Sequence, residues 1–313
     1  MAIPAIKPYP MPGASELPIN KVAWTPDPKR AVLLIHDMQQ YFLDPFTAGE
    51  SPVVELIENI RLLYNRCSEL GIPVVYTAQP GGQTPEQRAL LQDFWGPGIN
   101  DGPYQKQIVS ELTPANADIV LTKWRYSAFR KTNLLDNLQE KGRDQLLICG
   151  VYAHIGCLLT ACDAFMLDVQ PFFVADAVAD FSLDNHKMAL KYAAERCAVT
   201  IPTQRLLEEL DQSSTKANDS ATVSANGMLT ERMVREQVAE LLQEAPSTIG
   251  ESDNLIDRGL DSVRLMSLVE RWRRFGAEVA FVELAERPTL KDWWKLLSLR
   301  QQLVLPNADY FAL

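Results

Sequence analysis

Histidine is scarce in this chain, with only three, at 36, 154 and 186, and no two stand at metal-ligand spacing. No Cys-x-x-Cys pair occurs either, so no metal is expected. The five cysteines, at 67, 149, 157, 162 and 197, are odd in number and four lie within apolar stretches. That pattern suits reduced, mostly buried thiols in a cytoplasmic protein better than a disulfide framework. Positive charge is in deficit: 30 Lys and Arg against 40 Asp and Glu give a net charge of −10. Nucleic acid and anionic membrane surfaces are therefore not expected as partners. No apolar run is long enough to span a membrane, and Met1-Ala2-Ile3-Pro4-Ala5 has neither a basic leader nor an apolar core. There is no internal repeat.

What is present is an ordinary folded composition, 47% hydrophobic and 22% charged over 313 residues. This length suits one large domain and one small one. From Asp211 to Met228 the chain carries no aromatic residue and almost nothing to bury, so it reads as a flexible tether. Before it, short β-branched runs at 31–36, 73–77, 119–122, 145–149 and 171–175 alternate with amphipathic stretches at about 52–70, 132–141, 157–168 and 185–197. Near-continuous apolar strands separated by helices predict an α/β fold, a parallel sheet flanked by helices on both faces. After the tether, apolar residues recur at helical spacing in 230–242, 263–275, 281–285 and 289–297, a small four-helix domain. The expected division is 1–210, a linker over 211–228, a helical domain over 229–299, and a tail over 300–313 that has no reading.

Within the helical part, Asp253-Asn254-Leu255-Ile256-Asp257-Arg258-Gly259-Leu260-Asp261-Ser262-Val263-Arg264-Leu265-Met266 stands out. Gly259 permits a tight turn, Asp261 can cap the next helix, and Ser262 opens its first turn, where the helix N-terminus favours a phosphodiester. Asp-Ser alone would be a plain N-cap. The full string resembles the attachment site of a 4′-phosphopantetheine arm in acyl and peptidyl carrier domains.

In parallel sheets the chemistry gathers at the carboxyl ends of the strands. The first strand ends in Asp37, whose partial desolvation raises its pKa and suits proton transfer. The third ends in Lys123-Trp124-Arg125-Tyr126-Ser127-Ala128-Phe129, and the fourth in Gly150-Val151-Tyr152-Ala153-His154-Ile155-Gly156-Cys157. Blander roles exist for each. Asp37 could be an N-cap, Lys123 and Arg88 solvated cations, Phe42 and Trp95 core residues, and His36 a satisfied core histidine.

Asp, Lys and a small-residue turn after these strands resemble the cysteine hydrolase superfamily, which includes nicotinamidases. Asp37-Met38-Gln39 with Tyr41-Phe42, Tyr76-Thr77-Ala78-Gln79-Pro80, Arg88-Ala89-Leu90-Leu91, Phe94-Trp95-Gly96-Pro97-Gly98 and the two strand ends above resemble isochorismatase. With the carrier string, the whole chain is similar to the bifunctional isochorismatase/aryl carrier proteins of catecholate siderophore assembly. Aligned on Gly150 and Thr160-Ala161-Cys162-Asp163-Ala164, the superfamily's nucleophilic cysteine falls on Gly156. Cys157, one residue along a helix, points about 100° away.

The resemblance implies hydrolysis of the enolpyruvyl ether of isochorismate, with Asp37 as acid at a site that includes Lys123 and Gly156. Lys123 favours the Asp37 carboxylate, whereas burial and the substrate carboxylates favour the acid, and that balance stays open here. Lys123 and Arg88 would hold substrate carboxylates, Gln79 and the Tyr152 backbone or ring would add polar contacts, and Phe42 and Trp95 would wall the ring. Ser262 would carry 2,3-dihydroxybenzoate on its arm. The implied partners are a phosphopantetheinyl transferase, a 2,3-dihydroxybenzoate-adenylating ligase and the condensation domain of a nonribosomal peptide synthetase, with docking near Val263, Met266, Phe281 and Ala285. A homodimer or other homo-oligomer is expected. Rival readings are a carrier with an inactive hydrolase-like scaffold, and an amidohydrolase using Cys157.

Overall fold

The computed structural model describes residues 3–222, 229–273, 275, 277 and 279–302. The chain divides into two compact units, Met1–Lys216 and Ala217–Leu313. In the first, six strands pair in parallel: β1 (Ala31–His36), β2 (Val74–Ala78), β3 (Ile119–Thr122), β4 (Gln145–Val151), β5 (Gln170–Ala179) and β6 (Val199–Ile201). Their order across the sheet is β3-β2-β1-β4-β5-β6. The helices of this unit are α1 (Gln40–Leu43), α2 (Val53–Glu69), α3 (Pro85–Arg88), α4 (Leu91–Trp95), α5 (Pro103–Lys106), α6 (Leu134–Glu140), α7 (Leu158–Met166), α8 (Leu183–Arg196) and α9 (Thr203–Thr222).

Every residue of β1 and β4 is buried. Successive side chains of a strand point to opposite faces, so such a strand feeds two cores. Leu33, Ile35, Leu147 and Cys149 pack on one face with Leu56, Ile60 and Leu63 of α2 and Leu206 and Leu210 of α9. Val32, Leu34, Leu146 and Ile148 pack on the other with Leu134 of α6, Ala161 of α7 and Leu190 of α8. The sheet order reverses between β1 and β4, and the crevice beyond that switch point is where an open α/β sheet builds its site. Register brings the strand ends level there, with His36 opposite both Thr77 and Gly150, and Ala78 opposite Thr122.

Three differences from the expected elements have physical causes. β6 has only three residues, too few for a run of apolar periodicity to register. α3 and α4, which contribute to the site's lining, and α5 have four or five residues each and are punctuated by Pro and Gly. The segment expected as a tether is a correction in part, because α9 continues through 211–222. That stretch contains no Gly or Pro to stop a helix. Arg66 pairs with Asp211 at 2.6 Å, and the Ser213 hydroxyl donates to the Pro26 carbonyl, which holds this part of α9. Residues 223–228 lie outside the described residues.

The second unit holds α10 (Glu231–Leu242), α11 (Ser262–Arg273), α12 (Phe281–Glu286) and α13 (Leu290–Gln302). Thr230 caps α10 by accepting from the Met233 amide. Trp272 and Trp293 meet edge-to-face at 5.6 Å in a core with Leu268, Leu284 and Leu297. Their ring N–H groups donate to Gln237 and to the Leu284 carbonyl, so neither indole leaves a buried donor unpaired. Arg300–Gln302, expected in the tail, complete α13, and the remaining tail residues are outside the described set. Among the described residues no helix is long and apolar enough to cross a membrane.

Candidate active site

Asp37 follows β1 directly and has φ 51°, a conformation a non-glycine residue adopts only when its surroundings hold it there. The hold is visible. Its backbone N–H donates to the Thr77 carbonyl and hydroxyl, and its Oδ1 accepts from the Thr77 Oγ1 at 2.7 Å. Its Oδ2 accepts from Lys123 Nζ at 2.8 Å and from Gln79 Nε2 at 3.2 Å. Lys123 and Asp37 are 1% and 3% exposed, so they form an ion pair sealed from water. Neither the N-cap reading of Asp37 nor the surface reading of Lys123 describes what is seen. Burial pushes the Asp37 carboxyl up, but the Lys123 charge and the hydrogen bonds from Lys123 and Thr77 outweigh it, holding the group below the ordinary carboxylate range. The balance left open by the residues alone falls on the carboxylate.

Gln79 is itself clamped. Gln39 accepts from the Gln79 backbone N–H at 2.7 Å and donates to the Gln79 carbonyl at 2.9 Å. Gln39 and Thr77 are working parts of the site that sequence reasoning assigned no role. Their place follows from β1–β2 pairing, which no local pattern reveals.

Arg88, at the end of α3, is 3% exposed. Its Nε donates to the Gly96 carbonyl, and one guanidinium nitrogen lies 3.5 Å from the Gln79 side-chain oxygen. Among the described residues it has no carboxylate partner, so a buried guanidinium faces the pocket with its charge unmatched. Gly98, at φ 74°, gives it room, since a Cβ there would come within 2.6 Å of the guanidinium carbon.

Asp37, Gln79, Arg88 and Lys123 line one pocket with Phe42, Trp95, Tyr152 and Gly156, and its space, mouth included, is about 560 Å³. All eight sequence-predicted residues of this domain are therefore brought together. Trp95 donates from its ring nitrogen to the Tyr126 hydroxyl at 2.7 Å, which orients the indole as a wall. The Tyr152 hydroxyl donates to the Phe42 carbonyl at 2.7 Å, so the ring, not the hydroxyl, faces the pocket contents. Ile3 and Phe181 also line it and were not foreseen, as do Tyr41 and Ile155, which stand in the quoted motifs without an assigned role. Phe181 packs against Tyr152 in a tilted arrangement, ring centroids 4.2 Å apart.

Gly156 sits in the π-turn Ala153–Cys157. Cys157 is fully buried, and burial pushes its thiol well above the ordinary range. A thiol held neutral and away from solvent is no nucleophile. His36 is a correction in part. It is buried, and its Nδ1 lies 2.9 Å from the Val151 carbonyl, but its Nε2 has no partner. Burial pulls its pKa down to about 4, so the ring is neutral. Among the described residues no cluster of three or more His, Cys, Asp or Glu side chains could hold a metal ion.

In the second unit Ser262 is the exposed first residue of α11. Asp261 Oδ1 accepts from the Arg264 amide at 2.9 Å, capping the helix, and Gly259 turns the chain at φ 104°. Leu260 and Leu265 are buried on either side, which pins the serine at the surface. Nearby, Met266 and Val282 are more than half exposed, whereas Phe281 and Ala285 pack partly against the core. The side chain of Val263 lies outside the described set.

Residues 31–205 match the family model of the isochorismatase domain, and residues 232–297 match that of the phosphopantetheine attachment site. The chain is 63% identical over 311 residues to an isochorismatase of Bacillus subtilis (strain 168), covering 99% of this chain and all of the relative. The chain belongs to the isochorismatase family. Another relative in this family, enterobactin synthase component B of Escherichia coli (strain K12), is 48% identical over 299 residues, covering 95% of this chain and 99% of that one. Among solved structures, a cysteine hydrolase from Pseudomonas syringae pv. phaseolicola 1448A superposes with a TM-score of 0.57 at 18% identity, over 63% of this chain and 98% of its own. At that identity the likeness is one of fold alone. The isochorismatase-family sheet and the carrier helices are both accounted for by these matches.

Proposed function

We propose that Asp37 is the proton donor with which this isochorismatase hydrolyses isochorismate to pyruvate and 2,3-dihydro-2,3-dihydroxybenzoate. The observation that carries the reading is the Asp37–Lys123 pair, facing a pocket in which position 156 has no side chain. The enolpyruvyl group of isochorismate is a vinyl ether, and its cleavage requires an acid and water but no protein nucleophile. In the free enzyme Asp37 is a carboxylate. A dianionic substrate changes that balance, since its carboxylates repel the Asp37 charge while Arg88 takes one of them. Asp37 then takes up a proton and delivers it to the terminal methylene carbon, whose π electrons form the new C–H bond. Lys123, Thr77 and Gln79 stabilise the carboxylate as it re-forms, so their stabilisation grows toward the transition state. Water adds to the resulting oxocarbenium carbon and returns a proton to Asp37. The hemiketal collapses, its hydroxyl proton passes to the departing ring oxygen, and the old C–O bond breaks. Phe42, Trp95, Tyr152 and Phe181 wall the ring and limit the water present to what the reaction consumes.

The residues around Ser262 fit a 4′-phosphopantetheine arm: an exposed hydroxyl, a capped helix start with room for a phosphodiester, and a glycine turn with nothing within 4 Å of its added Cβ position. The arm supplies a thiol that holds an acyl group as a thioester. The cargo we propose is 2,3-dihydroxybenzoate, loaded by an adenylating ligase after a phosphopantetheinyl transferase has modified Ser262, and removed by the condensation domain of a nonribosomal peptide synthetase in siderophore assembly. Met266 and Val282 offer those partners an apolar surface beside the serine. Self-association into a dimer or another homo-oligomer is part of the same proposal and is read by sedimentation velocity.

The test is pyruvate release from isochorismate by wild type, Asp37→Asn and Ser262→Ala, with the mass of each chain after exposure to a phosphopantetheinyl transferase and coenzyme A. Asp37→Asn should lose hydrolysis by about 10²–10⁴-fold, the ordinary share of a general acid, and still gain the arm. Ser262→Ala should gain no mass and release pyruvate normally. Full hydrolysis by Asp37→Asn would remove the acid assignment.

A further inference from the structure

Gly156 occupies the position where the cysteine hydrolase superfamily carries its nucleophile, and the space beyond its Cα is not empty. A Cβ built on Gly156 would lie 2.2 Å from His36 Cε1, 2.9 Å from Nε2 and 3.0 Å from Nδ1. Real Cβ atoms do not approach heavy atoms that closely, so the imidazole stands in the volume that any side chain at 156 would enter.

The ring is held where it stands. His36 has no exposed surface, and its Nδ1 is tied to the Val151 carbonyl at 2.9 Å. Its backbone is pinned as well, because it lies opposite Gly150 in the β1–β4 register. A Cβ on Gly150, whose φ is 113°, would meet the His36 carbonyl oxygen at 2.2 Å and its nitrogen at 2.7 Å. Two glycines thus form a slot around one histidine, Gly150 against its backbone and Gly156 against its ring. The next residue is Asp37, in a left-handed conformation held by Thr77, and His36 Nδ1 lies 3.8 Å from its Oδ2. A displacement of His36 is therefore passed to the carboxylate.

We propose that His36 is the specificity-determining residue that commits this pocket to hydrolysis without a protein nucleophile, with Gly156 as its steric complement. The ring excludes a side chain from position 156 and, by filling that volume, positions the Asp37 turn. The imidazole is held through its Nδ1 at the Val151 carbonyl, and its second nitrogen abuts Gly156. His36 is in this sense a positioning residue, acting through Asp37. The inference rests on the nucleophile-free reading of the pocket given above.

The experiment is a double-mutant cycle on the full chain with His36→Ala, Gly156→Cys and the combination, reading melting midpoint and alkylation at position 156 by iodoacetamide. Gly156→Cys alone should lower the midpoint by several degrees. In the combination much of that loss should be recovered, and the introduced thiol, now seated beside Asp37 and Lys123, should be alkylated. If Gly156→Cys does not fold, Gly156→Ala adds only the Cβ and is measured in the same cycle. Midpoint shifts that simply add, or a Gly156→Cys chain that melts like wild type, would overturn the proposal. Wild type that releases no pyruvate while the cycle shows coupling would instead overturn the reading of the pocket and leave the steric pair standing.

Discussion

Lys123 Nζ lies 2.8 Å from Asp37 Oδ2, and neither side chain has appreciable contact with solvent. That pair decides the resting state of the site. It makes Asp37 a carboxylate before substrate arrives and, in the mechanism we propose, a strong acid once substrate has forced a proton onto it. A low pKa makes the protonated form scarce but a better donor to carbon, which is a poor base.

Replacing Lys123 with Met removes one partner of a buried pair and leaves the other uncompensated, which costs about 3–5 kcal/mol. Asp37 has a depressed pKa in the folded chain, so its stabilisation is present above the ordinary carboxylate range and lost as pH falls through the folded value. The difference in melting midpoint between wild type and Lys123→Met should therefore narrow as pH drops below about 4. Calorimetry of both chains over that range checks this. A difference independent of pH would mean the two groups are not paired in solution.

Arg88 faces the pocket without an acidic partner among the described residues. Its replacement by Met should lower kcat/KM for isochorismate by about 10–100-fold, the worth of one charge-assisted contact, mostly through KM. The melting midpoint should change little, because no protein ion pair is lost and the hydrogen bond to the Gly96 carbonyl is the main contact removed. Unchanged kinetics would assign the substrate carboxylates elsewhere.

His36 is neutral when folded, with its pKa pulled down by burial to about 4 from the ordinary imidazole value of about 6.5. Its contribution to stability is present above about pH 6.5 and falls away as pH drops toward 4, because the unfolded chain takes up a proton there that the folded chain refuses. Integrated over that window the loss is roughly 3 kcal/mol. In His36→Asn the stability profile between those pH values should be flatter than in wild type. Parallel profiles would show that the ring is accessible or charged.

The sheet was legible because β1, β2, β4 and β5 are continuous apolar runs that only a doubly covered strand can use. The same holds for α2, where Val53, Leu56, Ile60, Leu63 and Cys67 recur at helical spacing and all are buried. Asp37 and Lys123 stood out as candidates because strand ends in such a sheet converge, and Gly156 only through the family resemblance. Less could be seen wherever the cause is long-range. Thr77 and Gln39 act across the β1–β2 register, and the charge state of Asp37 depends on its distance from Lys123. The short helices α3 to α5 bury one side chain each or none and leave no periodic trace. Gly156 read in the sequence as an absence; the fold shows that His36 occupies the place.

The central claim is that the ether is cleaved from the enolpyruvyl side after Asp37 protonates carbon. Hydrolysis of isochorismate by the wild-type chain in ¹⁸O-labelled water tests it directly, read as the mass of the ring diol quenched within a single turnover. Water that adds to the oxocarbenium carbon delivers its oxygen to pyruvate, so the ring diol should carry no label. A labelled ring diol would mean that water attacks the ring carbon, and the acid role of Asp37 at the vinyl ether would be wrong.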